Sequence, residues 1–239
     1  TALDGKAVMA IGAIDGADTL GKSDKVTAAY VYQMNLNTSF TGDDNLYVRL
    51  KAGDGWSGVW DNKPGTYHIE AKDTSDALKV DKIWYTFPIG EQFTATVGPK
   101  IENYYMLAAT PSVYKPGALK AFKLGGHASA FGASTSTGAG ITYTADNGFA
   151  VSTTFNSKKA STTGGLFTDQ DQNKVNTQVA YTKDNYHLSA TYSFQNGWNS
   201  WSYYSTKDLA DGAANVGWGT DSTLITTQAD ALALRAWWR

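Results

Sequence analysis

The stretch LNTSFTGDDNLYVRLKAG, Leu36–Gly53, carries the clearest structural signal in this chain, because apolar residues recur at alternate positions on either side of a polar centre. A period of two is typical of a β-strand, and two such runs around a short polar turn predict an antiparallel hairpin. In a soluble sheet the apolar face contacts a core. In a membrane barrel that face contacts lipid, and the polar face lines a water-filled lumen.

The composition limits the classes of protein to consider. Of the 239 residues, 42% are hydrophobic and only 18% are charged, which is below the quarter usual in soluble domains. The net charge of −2 gives no attraction to nucleic acid, so no nucleic-acid partner is expected. The absence of cysteine excludes disulfides and thiolate sites. No apolar run approaches the roughly 20 residues of a membrane helix.

Alternation predicts about ten strands and no amphipathic helix of ordinary length. The strands are expected near residues 6–14, 28–40, 46–53, 78–87, 92–98, 136–144, 149–156, 174–182, 186–195 and 224–238. Short connections such as TGDD, PIGE, ADNG and KDN alternate with long ones. A soluble sandwich has no reason for this parity, whereas outer-membrane barrels have short periplasmic turns and longer outer loops. The parity predicts that both ends of the chain lie on the periplasmic side.

The two faces of the predicted strands differ in polarity. One face is uncharged and rich in aromatic and aliphatic residues, while the other collects amides, hydroxyls, Arg49 and Lys51. A lipid-facing Arg or Lys costs roughly 2–4 kcal/mol at the bilayer midplane, so these two side chains fit an aqueous lumen. Aromatic residues at the ends of strands, as in Phe149–Phe155 and Tyr186–Phe194, match interfacial girdles. We therefore predict an all-β, antiparallel transmembrane β-barrel; a soluble antiparallel sandwich is the alternative.

The motifs give no catalytic signature. Neither a nucleophile elbow nor a phosphate loop occurs, so we predict that the protein is not an enzyme and uses no cofactor. DQDQNK, Asp169–Lys174, begins like a calcium loop, but Lys174 and Ala180 stand where an EF-hand needs Gly and Glu. The three histidines are scattered without a metal-ligand spacing, so no metal site is expected.

Three stretches carry a resemblance to a known family: LNTSFTGDDNLYVRLKAG, KIWYTFPIGEQFTATVG at Lys82–Gly98, and GAGITYTADNGFAVSTTF at Gly138–Phe155. In these residues the chain resembles the cyanobacterial outer-membrane porins of the carbohydrate-selective porin family. GALKAFKLGG at Gly117–Gly126 and the terminal ALALRAWWR agree in character.

The resemblance implies a passive diffusion channel in the bacterial, here cyanobacterial, outer membrane for small hydrophilic solutes such as inorganic ions and sugars. Such porins are described as homotrimers of barrels with about sixteen strands, surrounded by outer-membrane lipid and lipopolysaccharide. They attach to the cell wall through an upstream surface-layer-homology domain, which is missing from this sequence. Residues 1–239 are therefore expected to form a single β-barrel domain or a fragment of one, with a periplasmic N-terminus.

The resemblance also implies that one long loop folds inward as the pore constriction. The best candidate is the segment at residues 99–123, because it joins two well-predicted strands and mixes charge with apolar anchors. Its charged members are Lys100, Glu102, Lys115, Lys120 and Lys123, and Arg49, Lys51 and Arg235 are expected to add charge from the wall. Because positive charge dominates this set, we expect a weak preference for anions.

An aromatic cluster, WNSWSYY, supports a second class of function. Trp198, Trp201, Tyr203 and Tyr204 could stack on sugar rings at a pore mouth. Packing within the loop, or contact with a neighbouring protomer, explains the same residues. The alternative for the whole protein is a non-transport β-sheet adhesin or carbohydrate-binding protein that uses the long aromatic loops. Insertion into lipid and conductance separate the two classes.

Overall fold

A computed structural model describes residues 1–13, 15, 25–54, 73–109, 135–168, 171–196 and 228–238. Ten strands form one sheet: β1 Ala2–Gly12, β2 Thr27–Thr38, β3 Asn45–Gly53, β4 Lys79–Ile89, β5 Phe93–Ile101, β6 Ser136–Thr144, β7 Phe149–Ser157, β8 Asn173–Lys183, β9 Tyr186–Asn196 and β10 Gln228–Trp238. A 3₁₀ helix, Asn103–Tyr105, follows β5. The all-β prediction and its ten strands are confirmed.

Each strand pairs antiparallel with its neighbours in the sequence, in the order β1 to β10. Short turns join β2 to β3, β4 to β5, β6 to β7 and β8 to β9, and the intervening connections are longer. The ends Ala2 and Trp238 therefore lie at the same edge of the sheet as the short turns. Within the described ranges no pairing joins β1 to β10, so these ten strands do not by themselves close a barrel.

The sequence of the hairpin at Leu36–Gly53 left open which face of the sheet is covered. In the structure the polar face is the covered one. Side chains that are hidden from solvent include Gln33, Lys51, Ser152, Thr154, Asn176, Gln178, His187, Thr191 and Ser193. On the opposite face many large apolar side chains are exposed, among them Met9, Ile11, Val97, Ile141, Val179, Leu188 and Leu234. A soluble sandwich would show the opposite distribution. We call the covered polar surface the inner face and the exposed apolar surface the outer face.

The outer face carries aromatic side chains where the strands meet the short turns. The ring centroids of Phe93 and Tyr143 are 5.1 Å apart, and those of Tyr181 and Tyr186 are 5.9 Å apart. Phe194 lies on the same face of β9, eight residues beyond Tyr186, which is about 26 Å along a strand. Since barrel strands tilt by roughly 40°, this spacing spans about 20 Å of depth, close to the ~25 Å apolar band of outer-membrane barrels.

One carboxylate organises the turn of the β2–β3 hairpin. Asp44 accepts hydrogen bonds from the backbone amides of Phe40 (2.9 Å) and Thr41 (2.8 Å) and from the hydroxyls of Ser39 (2.7 Å) and Tyr85 (2.5 Å). Led by the bond from Tyr85, these donors hold the pKa of Asp44 well below its usual range. Asp44 in the short connection TGDD therefore has a structural role in the hairpin.

A charge on the outer face tests what that face contacts. Val179 and Ile89 are both outer-face residues with similar exposure, 44% and 48%, but Val179 lies within β8 and Ile89 ends β4 beside a short turn. If the outer face contacts lipid, Val179→Arg lowers the free energy of unfolding by about 2–4 kcal/mol and Ile89→Arg by about 0–1 kcal/mol. Urea unfolding of the full chain in lipid vesicles measures both. Equal, small effects would mean that water covers this face.

Candidate functional site

The chain that leaves β5 folds onto the inner face instead of outward. We call residues 102–109 the inner segment; its Met106 and Leu107 are only 3% and 7% exposed. Small and polar side chains of the wall make room for it. A Cβ on Gly140 would meet the Met106 side chain at 2.9 Å, and the hydroxyl of Thr142 donates to the Met106 carbonyl at 3.1 Å.

An ion pair fixes the beginning of the inner segment. The Lys82 ammonium of β4, which is 3% exposed, contacts the Glu102 carboxylate, and the Thr135 hydroxyl donates to the same oxygen at 3.4 Å. Burial alone would raise the pKa of Glu102, but the charge and hydrogen bond of Lys82 outweigh it and hold that pKa below its usual value. Glu102 is therefore ionised and paired at the base of the segment.

A column of aromatic rings attaches the same segment to β3 and β4. The ring centroids of Tyr47 and Trp84 are 4.1 Å apart, those of Trp84 and Tyr105 are 4.9 Å apart, and those of Tyr105 and Tyr104 are 4.6 Å apart. Each of the two middle rings, Trp84 and Tyr105, contacts a ring on either side. The column therefore holds the inner segment against β3 and β4.

Two wall side chains bind the backbone at the far end of the inner segment. The Ala108 amide donates to the Ser152 hydroxyl at 3.0 Å. The Gln178 amide both accepts from the Ala109 N–H, at 2.7 Å, and donates to the Ala109 carbonyl, at 3.2 Å. Gln178 is fixed in turn by Thr191, to whose hydroxyl its Nε2 donates at 2.9 Å. These bonds provide partners for backbone groups that would otherwise be buried without any.

The inner segment also reaches the last strand of the sheet. Leu107 packs against Ala233 of β10, and Tyr104 and Ala231 contact the same cluster. One segment therefore contacts wall residues from β4, at Trp84, to β10. For a single short segment to touch both, the inner face must curve around it.

Cationic side chains gather on the inner face beside the aromatic column. Arg49 Nε donates to the Tyr47 hydroxyl at 2.9 Å and to Asn35 Oδ1 at 3.1 Å. The Asp81 carboxylate lies 4.0 Å from Arg49 and 3.6 Å from the Lys51 ammonium. Asp81 is the extra residue of a bulge in β4, since Arg49 pairs with Lys82 and Leu50 with Val80. The bulge turns one carboxylate toward two cations.

The structure brings together part of the predicted set of site residues. Arg49, Lys51 and Glu102 lie near one another on the inner face, and Arg235 lies further along it, opposite Ser189. Lys100 is opposite Ile83, on the outer face, where its ammonium donates to the Val80 carbonyl at 3.1 Å. Outside the described residues lie Lys115, Lys120, Lys123, Trp198, Trp201, Tyr203 and Tyr204.

Sequence reasoning named Glu102 but missed the other residues that hold the inner segment. Lys82 and Trp84 alternate with the outer-face residues Ile83 and Tyr85, so a period of two is consistent with an inner-face position for both. Nothing in the sequence paired them with Glu102 and Tyr105. Asp171, from the calcium-like motif, is buried and accepts from the Ser157 hydroxyl at 2.5 Å. In the described part of the chain, no group of three His, Asp or Glu side chains is arranged to hold a metal ion.

The fold is similar to those of solved bacterial porins. A mutant of the Rh. blastica porin matches with a TM-score of 0.50 at 13% identity, over 80% of this chain and 62% of that one. A high-pH structure of Pseudomonas putida OprB matches with a TM-score of 0.54 at 11% identity, over 98% of this chain and 60% of that one. The chain thus spans about three fifths of the length of these structures. The likeness establishes a porin-like β-barrel fold.

No protein-family model and no curated protein matches the sequence. Among the helical residues that the structure describes, none belongs to a helix of the length and apolar character needed to cross a membrane.

Removing the Gln178 side chain should loosen the end of the inner segment. Gln178→Ala leaves the N–H and carbonyl of Ala109 without their partners, which costs about 1–3 kcal/mol. We expect the Ala109 amide proton to exchange at least about tenfold faster, measured by hydrogen exchange. Thr177→Ala, on the outer face of the same strand, is the control and should leave the rate unchanged. An unchanged rate in Gln178→Ala would show that these bonds do not hold the segment.

The Lys82–Glu102 pair predicts a stability difference that depends on pH. Glu102→Gln leaves a buried ammonium unpaired, so the variant should be about 3 kcal/mol less stable near neutral pH. Because the folded-state pKa of Glu102 is lowered, the stabilisation is complete above the unfolded pKa, near 4.3, and is lost as pH falls through the folded value. The difference in unfolding free energy between wild type and variant should therefore disappear at acidic pH. Unfolding free energies between pH 3 and pH 7 measure it, and a gap that does not change with pH would contradict this pairing.

Proposed function

We propose that this protein is a passive diffusion channel of the bacterial outer membrane for small hydrophilic solutes. The observation that carries the proposal is the inverted burial of the sheet, with amides, hydroxyls and most of the charges on the inner face and mainly apolar side chains outside. That distribution suits a wall between lipid and an aqueous pore. The porin-like fold supports the same proposal, and its typical role is transport without catalysis.

The inner segment is the proposed constriction of this pore. It lies on the inner face and is fixed at its start by Lys82, along its length by Trp84 and Thr142, and at its end by Gln178. A segment held at so many points narrows the lumen permanently. The width of the lumen and its charge therefore limit the passage of solutes. The pore conducts without a conformational change.

Cations outnumber carboxylates on the inner face of the described residues, which favours a weak preference for anions. Strand pairing gives this face Lys6, Arg49, Lys51, Lys79, Lys82 and Arg235 against Asp4, Asp81 and Glu102, while Lys174 on the same face is completely covered and is not counted. Lys82 and Glu102 neutralise each other, and Asp81 only partly offsets Arg49 and Lys51. The remaining excess is positive, and a narrow lumen increases its effect on permeating ions.

The two kinds of connection support a proposed orientation. Outer-membrane barrels have short periplasmic turns and longer extracellular loops. We therefore assign the short turns, together with Ala2 and Trp238, to the periplasmic side. The aromatic outer-face residues near those turns, such as Tyr181 and Tyr186, then lie at the inner lipid–water interface.

Conductance of the full chain in a planar bilayer tests the channel. We expect stepwise, ohmic openings and, in asymmetric KCl, a reversal potential that favours chloride. Lys51→Gln and Arg235→Gln should each reduce the chloride-to-potassium permeability ratio by roughly two- to fivefold, the effect of one charge at close range in water.

Lys100→Gln is the matched control, because Lys100 is on the outer face and its loss should leave the ratio unchanged. A clear preference for cations in the wild type would refute the positive lumen. Reproducible insertion without conductance would refute the channel.

A further inference from the structure

A groove of about 520 Å³ lies on the outer face across β8, β9 and β10. It follows from the placement of two small residues, since Ala190 lies between Val179 and Leu234, and Ala236 lies beside Leu188. The ridges Leu188 and Leu234 are 55% and 74% exposed. The result is an open, mostly apolar groove between these ridges.

The groove leads toward polar and aromatic groups at the short-turn end of the same strands. Tyr181 borders it, and the next row of the outer face consists of Lys183, Tyr186 and Trp238, which pair with one another across the three strands. Lys183 is exposed. Rings of this type lie at the level of lipid headgroups, with their polar atoms toward water.

We propose that this groove binds one anionic phospholipid, with an acyl chain along Ala190 and Ala236 and its phosphate at Lys183 and the Tyr181 and Tyr186 hydroxyls. The inference rests on the proposed function, because it requires that the outer face lie in a bilayer. It adds a specific lipid site in the leaflet on the short-turn side.

The charge of Lys183 favours an anionic headgroup, and the shape of the groove favours an acyl chain. Lys183 is a point cation that attracts a phosphate, and Asp184, which follows it in the turn, prevents a strongly positive patch. Recognition therefore depends on one ammonium together with neutral hydroxyl donors. A second copy of the chain would need a broad complementary surface of about 800 Å² on each partner. A concave, mostly apolar groove fits an elongated ligand better.

Native mass spectrometry of the full chain tests the site, with phosphatidylglycerol and phosphatidylcholine of identical acyl chains as the added lipids. We expect one phosphatidylglycerol to remain bound to the wild type under conditions that remove phosphatidylcholine. Ala190→Trp fills the groove and should abolish this retention. Ala139→Trp, at an exposed outer-face alanine of β6, is the matched control and should retain the lipid. Lys183→Gln should weaken the preference for phosphatidylglycerol about fivefold.

Three results would overturn the lipid site: equal retention of both lipids, retention that Ala190→Trp does not change, or a change of oligomeric state in Ala190→Trp with no lipid bound to the wild type. Vesicle flotation and conductance of the same samples separate this failure from that of the channel. A chain that inserts and conducts but retains no lipid overturns the lipid site alone. A chain that stays outside vesicles overturns both proposals.

Discussion

Continuous backbone pairing from β1 to β10 is the constraint on which the rest of this structure depends. From β2 to β9 every strand bonds to both neighbours, so this part of the sheet satisfies its own peptide groups, and its outer side chains can be apolar and face a medium without hydrogen-bond partners. The period of two then places polar side chains on the other face. Hence Leu188 and Leu234 are exposed while Thr191 and Ser193 are covered. Alternation would mean the reverse in a soluble sheet, so alternation alone does not decide which face is covered.

The inner segment depends on this inversion, because a face of small and polar residues can accept a second layer of backbone. Gly140 leaves space for Met106, and Ser152 and Gln178 supply partners for peptide groups that leave the sheet. A wall of large apolar side chains at these positions would have excluded the segment and left its backbone without bonds. The polar wall is therefore both a surface for water and a support for the constriction that we propose.

The ten strands and the identity of the two faces could be predicted because both depend on local alternation. Alternation gives the wrong face for Lys100. Counting by twos from Val97 assigns Lys100 to the inner face, but irregular pairing around Gly98 and Ile101 shifts the register and turns Lys100 outward. The bulge at Asp81 also shifts the register, but it turns a charged side chain toward the inner face. A single extra residue reverses every side chain beyond it, and alternation in a single sequence does not reveal where such a residue falls.

The contacts of the inner segment were beyond prediction for a different reason. Gln178 and Ala109 are 69 residues apart, and nothing in either local sequence specifies the other. The ion pair of Lys82 with Glu102 is similar, because a charge in a predicted loop is ordinarily solvated. Here both groups are covered, so neither would be stable there without its partner. The pairing therefore fixes where the chain turns inward after β5, and the aromatic and backbone contacts that follow depend on that position.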